Sequence, residues 1–244
     1  MVKINNELKK IRVDINNIDS KIASLIEERV NLVTRVGEIK KHKKNFYVPE
    51  REKFIFKSLS EKFPNLDKNI IKNIFTEIIS GCRSYEKIFN VGLIEDIHSL
   101  SALRNILGSF TENSFFKTAE DIMEKYPSLD YALFNLDVSS ANLVEKYEDI
   151  FIINYCNYEN KTFYLFGKEE NSEIISGKSG FLLEKNNFAK IQDRLYNLAY
   201  NVKEFSNEYI FVEINFNEQN NIKDIKNIFS VPHKYLGIYP NNNF

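Results

Sequence analysis

The chain contains no tryptophan, only two cysteines and three histidines, and no excess of charge, with 33 Lys+Arg against 34 Asp+Glu. Each scarcity excludes a class of function. Cys82 and Cys156 lie far apart and have no CxxC-type partner, so neither a disulfide framework nor a zinc site is indicated. His42, His98 and His233 are scattered among polar neighbours, so no metal is expected. A formal net charge of −1 provides no overall field to attract nucleic acid or an acidic membrane surface, and neither is expected as a partner. No apolar run reaches the ~18 residues of a membrane span. The opening MVKINNELKK is polar and helix-forming rather than a secretory signal, so a cytoplasmic location is expected. A hydrophobic share of 43% remains, enough for sizeable cores.

The sharpest periodicity lies at the start. Leu8, Ile11, Ile15, Ile18, Ile22, Leu25, Leu32, Val36 and Ile39 follow steps of three and four, the mark of one long helix with a packed seam. The segment has no proline and a single glycine, Gly37, and extends for roughly 35–40 residues, about three times the usual helix length. Such a helix needs partners along its whole length, which points to a helical bundle or an intertwined dimer. Pro49 suits the first turn of a second helix, with Glu50 and Glu52 at its positive end and Phe54, Ile55 and Leu59 on its apolar side. Pro64 and Asn65 close it. A third helix from near Asp67 to Tyr85–Lys87 carries Ile70, Ile71, Ile74, Phe75, Ile78, Ile79 and Cys82 toward a core.

After Asn90 the pattern changes to short apolar runs alternating with helical stretches: NVGLI, residues 97–107, SFFKT, residues 118–125, YALFNL, residues 139–147, DIFIINY and TFYLFG. This reads as a small α/β layer. A polar stretch, KEENSEIISGKSG, is expected to separate it from a second group: GFLLE, a helix over 187–202, YIFVEINF, a helix over 221–229 and KYLGIYP. The expected class is therefore α + α/β, with domains at 1–88, 89–172 and 173–244.

Continuing the first seam, the slot between Leu25 and Leu32 is filled by Arg29. A guanidinium in a core position needs an acidic partner, either a protein carboxylate or a bound anion. Lys40 lies eleven residues on, nearly on the same face and separated by about 16 Å of rise. Two long side chains leaning across that gap leave room for one small dianion.

The segments LKKIRVDINNIDSKIASLIEERVNLVTRVGEIKK, VPEREK and IFTEIISGCRSYE resemble the helical class of chorismate mutases, including those fused to prephenate dehydratase, over residues 5 to 87. The resemblance implies an intertwined homodimer, chorismate as substrate, no cofactor, and rearrangement to prephenate in phenylalanine and tyrosine biosynthesis. It implies that Arg29, Lys40 and Arg51 hold the two carboxylates and the ether oxygen, with Lys40 on the oxygen, and that Glu52 accepts from the ring hydroxyl. Arg12 is implied to reach the partner subunit's site. Arg12 stands seventeen residues before Arg29 and about 100° around the helix, which agrees with a role outside Arg29's own pocket. Three positions depart from the family pattern: Val48 replaces an acidic residue, Cys82 a serine-like substrate contact, and Glu86 a glutamine. Glu86 can donate to the ether oxygen only when protonated.

Residues 89–244 occupy the place of a dehydratase and its regulatory ACT domain and resemble a shortened version of both. YALFNLDVS stands at a P-x-E-N-S motif and NKTFYLF at N-x-T-R-F; YIFVEI and YLGIYP resemble ACT strands. Thr162 matches the threonine of the dehydration site, but Phe163 stands where the arginine belongs, so a non-catalytic region is expected. The chain ahead of YIFVEI is also expected to be too short for a full ACT strand. Three other readings stay open: a bifunctional mutase/dehydratase making phenylpyruvate, an isochorismate pyruvate-lyase, and a non-catalytic helical dimerisation module attached to a ligand-sensing α/β domain.

Overall fold

A computed structural model describes residues 2–39, 46–171, 174–205, 208–217 and 219–241. The first periodic segment forms α1 (Val2–Ile39), a single helix of 38 residues, or about 57 Å at 1.5 Å per residue. The expected seam is not buried within this chain: Ile11, Ile18, Leu25 and Leu32 are 49%, 55%, 63% and 52% exposed. A second stripe, Ile26, Arg29, Val30, Val33 and Gly37, is half-buried instead, and α1 meets the rest of the chain through the third helix. Arg29 thus belongs to the inward stripe rather than to the outward seam.

Pro49 at the first turn begins α2 (Pro49–Lys62). Its buried apolar residue is Phe56, whereas Phe54 is 60% exposed. Asp67 caps α3 (Lys68–Ser84), accepting from the backbone N–H of Asn69 at 2.8 Å and of Ile70 at 3.4 Å. The inward face of α3 is narrower than the apolar count suggests: Ile71, Ile79 and Cys82 are buried, while Ile70 and Ile74 are about half exposed.

The alternation that follows produces β1 (Phe89–Ile94), α4 (Ile97–Leu107), β2 (Thr111–Phe116), α5 (Ala119–Lys125), β3 (Tyr131–Asn135), α6 (Val138–Lys146), β4 (Phe151–Tyr158) and β5 (Lys161–Gly167). Their strands form one sheet of order β2-β1-β3-β5-β4, with β1 parallel to β2 and β3, and β5 antiparallel to both its neighbours, β3 and β4. Side chains of Asp96, Thr118 and Asp137 cap the three helices, which explains their sharp starts.

A second sheet of order β7-β8-β6-β9 contains β6 (Gly177–Glu184), α7 (Lys185–Ile191), β7 (Tyr200–Phe205), β8 (Tyr209–Phe216), α8 (Ile222–Ile228) and β9 (Lys234–Tyr239). Three expectations change here. The helix expected over 187–202 stops at Ile191, continues as one 3₁₀ turn to Leu195, and gives way to β7, which pairs with β8 from Tyr200↔Ile214 to Phe205↔Tyr209. The strand judged too short is therefore present, because the alternating YNVKEF finds an open edge of β8. The polar stretch 168–180 is not wholly a separator either. Its last four residues begin β6, where Ser179 donates to Ile214 O at 3.2 Å and Lys178 lies 3.5 Å from Glu213. Their polarity is satisfied by backbone and by a buried carboxylate rather than by solvent.

The sheets share a core: Phe134, Tyr155, Tyr164 and Phe166 from the first pack with Leu182, Phe211, Leu236 and Tyr239 from the second. On its other side, the first sheet packs Val91, Leu93 and Leu165 against Ala102, Leu103 and Ile106 of α4, with Tyr47 inserted beside them. The helical part docks at this layer. Phe110 N–H donates to Ser80 Oγ at 3.2 Å, and Ser109 donates from its backbone and its hydroxyl to Glu77 at 3.1 and 3.0 Å. Gly108 makes the approach possible, since its φ is +75° and a Cβ there would lie 2.4 Å from Ser80 Cβ. Gly108→Ala should therefore lower the urea midpoint, with a loss of more than about 1 kcal/mol because strain and clash coincide.

Candidate active site

Where α1 leaves α3, a cleft of about 480 Å³ opens, lined by Arg29, Leu32, Val33 and Val36 of α1, Phe46 and Val48 ahead of α2, Arg51, Glu52 and Ile55 of α2, and Ile79, Arg83 and Glu86. Helix periodicity explains the convergence. Arg29, Val33 and Val36 fall on one side of α1, while Val48, Arg51, Glu52 and Ile55 occupy the first turns of α2.

Arg29 is half-buried, and its Nη1 is shielded from solvent with no hydrogen-bond partner among the described residues. Such a donor is costly to leave unmatched, so Arg29 is a candidate to bind an acceptor in this cleft. Arg51 is exposed at the rim, its guanidinium 5.4 Å from the centre of the Phe54 ring. Glu86 follows the end of α3 and lies against Gly37, where a Cβ would come within 3.0 Å of the Glu86 carboxylate. Gly37 thus lets the glutamate reach the α1 side of the cleft.

Glu52 is 9% exposed, and its Oε1 accepts from Arg83 Nη1 at 2.6 Å. Burial raises the Glu52 pKa, opposed by the Arg83 guanidinium and, more weakly, by Arg29. Glu52, expected from the sequence as a substrate contact, lines the cleft, and so does Arg83, which the sequence reading did not single out. Its signal, a basic residue between Cys82 and Ser84 on the buried side of α3, was masked by its neighbours' apolar pattern.

The remaining candidates lie elsewhere. Cys82 is buried and does not line the cleft. Arg12 is exposed on α1, about 26 Å up the helix axis from Arg29. Lys40 lies outside the described residues. Thr162 sits near the turn of the β4–β5 hairpin and donates to Asn157 Oδ1 at 3.0 Å, and Phe163 is core at 2% exposure. Asp137, Val138 and Ser139 form the start of α6, where Asp137 accepts from Ser140 N at 3.0 Å and Ser139 Oγ at 2.9 Å. Among the described residues no cluster of His, Cys, Asp and Glu could hold a metal ion, and no helix is long and apolar enough to cross a membrane.

Comparison with known proteins places the similarity on the helices that build this cleft. Residues 11–87 match the family Chorismate mutase type II. The bifunctional chorismate mutase/prephenate dehydratase of Aquifex aeolicus is 40% identical over 98 residues, 36% of this chain and 26% of that protein. Its counterpart from Stutzerimonas stutzeri is 33% identical over 97 residues, with the same coverage. The chain spans about a quarter of the length of these relatives, 26% in each case. The prephenate dehydratase structure from Streptococcus mutans aligns with a TM-score of 0.45 at 14% identity, over 62% of this chain and 97% of that one. The chorismate mutase of Methanocaldococcus jannaschii is 38% identical over 84 residues, which cover 33% of this chain and 85% of that protein. Through its N-terminal helices, the chain belongs to the chorismate mutase family.

Proposed function

We propose that the cleft binds chorismate and promotes its rearrangement to prephenate, a step of phenylalanine and tyrosine biosynthesis, in the cytoplasm and without a cofactor. The observation that carries this reading is the pair of guanidinium groups, Arg29 and Arg51, on one cleft, with a buried Arg29 nitrogen lacking any partner among the described residues. The rearrangement is intramolecular and needs neither nucleophile nor general base, so a cage that fixes two carboxylates suffices to hold the reactive conformer. Negative charge grows on the ether oxygen as its bond to the ring breaks, and a cation there stabilises the transition state more than the substrate. Lys40, one residue beyond Ile39 at the end of α1, takes that role, with Glu86 donating to the same oxygen when protonated. Glu52 Oε2 is the acceptor for the ring hydroxyl, since Oε1 is taken by Arg83.

The active form is a homodimer. Leu8, Ile11, Ile15, Ile18, Ile22 and Leu25 leave an apolar stripe along α1 that is about half exposed, more than an isolated soluble chain ordinarily leaves open. A second copy along α1 covers that stripe and brings its Arg12 to the partner's cleft, a separation that one chain cannot close by itself.

Residues 89–172 and 173–244 are read as dehydratase-like and ACT-like units without dehydratase turnover. Phe163 fills the place of the needed arginine and is buried in the core, Thr162 is engaged within its hairpin, and Asp137 to Ser140 are engaged as a helix cap. None of these leaves a cation to hold a second dicarboxylate.

Incubated with chorismate, the purified chain should sediment as a dimer and accumulate prephenate. Product that runs on to phenylpyruvate would reverse the reading of residues 89–172, and Lys40→Ala should abolish turnover without altering circular dichroism. Glu86→Gln, whose amide donates at any pH, should raise kcat/KM for chorismate, and unchanged kinetics would remove Glu86 from the site. Val48 precedes α2 with no side-chain cap while its carbonyl accepts from Arg51 N at 3.0 Å. Val48→Asp should raise stability by about 1 kcal/mol through the missing cap and lower KM for chorismate by adding a polar contact.

A further inference from the structure

Arg83 lies between the cleft and the first sheet, and both its hydrogen-bonding arms are engaged. Nη1 donates to Glu52 Oε1 at 2.6 Å and Nη2 donates to Leu107 O, at the end of α4, at 2.7 Å. Its side chain is 7% exposed and that of Glu52 is 12%. The guanidinium carbon sits 5.3 Å from the centre of the Tyr47 ring and 5.1 Å from that of Phe89 in β1, so aromatic faces enclose it on the sheet side. Tyr47 is itself held by the sheet, accepting from Asn154 Nδ2 of β4 at 2.6 Å. The guanidinium therefore has one arm in the cleft and one in the α/β part, and its position is set by the latter.

We propose that Arg83 is a positioning residue for the mutase reaction: anchored by Leu107, Tyr47 and Phe89, it holds the Glu52 carboxylate ionised and aimed into the cleft. The inference deepens the mutase reading and rests on it. It also assigns the α/β region a part in the reaction that requires no dehydratase chemistry. A planar fork suits the task because it serves two acceptors at a fixed angle, which a lysine ammonium on a flexible stem does not. Glu52 is faced by Arg83 from α3, Arg29 from α1, Tyr47 from the segment before α2 and Tyr131 from β3, and Glu86 lines the same cleft. Of these the arginines alone favour the charged carboxylate, and Arg83 has the greater influence. Burial works against it.

The sign follows. Below its pKa Glu52 loses the charge that makes it a strong acceptor, so kcat/KM falls on the acid side. Removing Arg83 lifts that pKa and moves the acid limb toward neutrality.

The test is the pH profile of kcat/KM for chorismate in full-length wild type, Arg83→Gln, Arg83→Lys, Glu52→Gln and the Arg83→Gln/Glu52→Gln pair. Arg83→Gln should move the acid limb up by about 1–3 pH units, and both proteins carrying Glu52→Gln should lack that limb. Arg83→Lys, which keeps the charge and lets the fold be retained, should leave the limb near its wild-type position but lose at least about tenfold in kcat/KM through misplacement. A folded Arg83→Gln protein with an unmoved limb overturns the positioning role and leaves the mutase reading standing. If Arg83→Gln does not fold, an Arg83→Lys protein with wild-type kcat/KM overturns it instead. A wild-type chain that does not turn over chorismate overturns the mutase reading and this role with it.

Discussion

One buried ion pair stands where the two halves of the molecule meet. Glu52 and Arg83 meet at 2.6 Å with little solvent at either side chain. Taking two charges out of water costs roughly several kcal/mol per ion, and the pair repays it only when its remaining donors and acceptors are matched. Here the matching comes from outside the two helices: Leu107 O at the end of α4 takes the second guanidinium arm, and Tyr47 before α2 and Phe89 of β1 cover its faces. The helices cannot slide on the α/β layer without taking Arg83 Nη2 from Leu107 O, and a buried donor left unmatched typically costs about 1–3 kcal/mol. Packing of Gly108 against Ser80 reinforces the same junction with a contact that tolerates no additional carbon.

The opposite side of the helical part is built in the reverse sense. The inward stripe of α1 meets α3, but its richer apolar seam faces outward and stays about half exposed. The cleft lies between these two regimes, floored by Glu52 and Arg83 and rimmed by Leu32 and Val36, themselves exposed.

Much of this was legible in local pattern. A three-and-four spacing without proline marks α1, Pro49 and Asp67 mark the starts of the next two helices, and short apolar runs alternating with helical stretches mark the layer that follows. The runs NVGLI, YALFNL and YIFVEINF are buried strands because both their faces are covered. The pattern misled where polar residues have buried partners. Lys178 and Ser179 looked like linker and lie in β6, their polarity absorbed by Glu213 and Ile214 O. YNVKEF looked like the end of a helix and became β7 because an open edge of β8 was available, which sequence spacing cannot record.

For the site, the order of residues along the chain pointed to Arg12, Arg29, Lys40 and Arg51 as its cations, with Glu52, Cys82 and Glu86 beside them. These positions belong to short motifs in the helical part. Tertiary structure alone decided which of them share a cleft, left Cys82 and Arg12 outside it, and brought in Arg83. Arg83 is separated from Glu52 by thirty-one positions, and its partner at the end of α4 is a backbone carbonyl. A carbonyl has no identity in the sequence, so only the packing of α3 on α4 reveals what that arginine does.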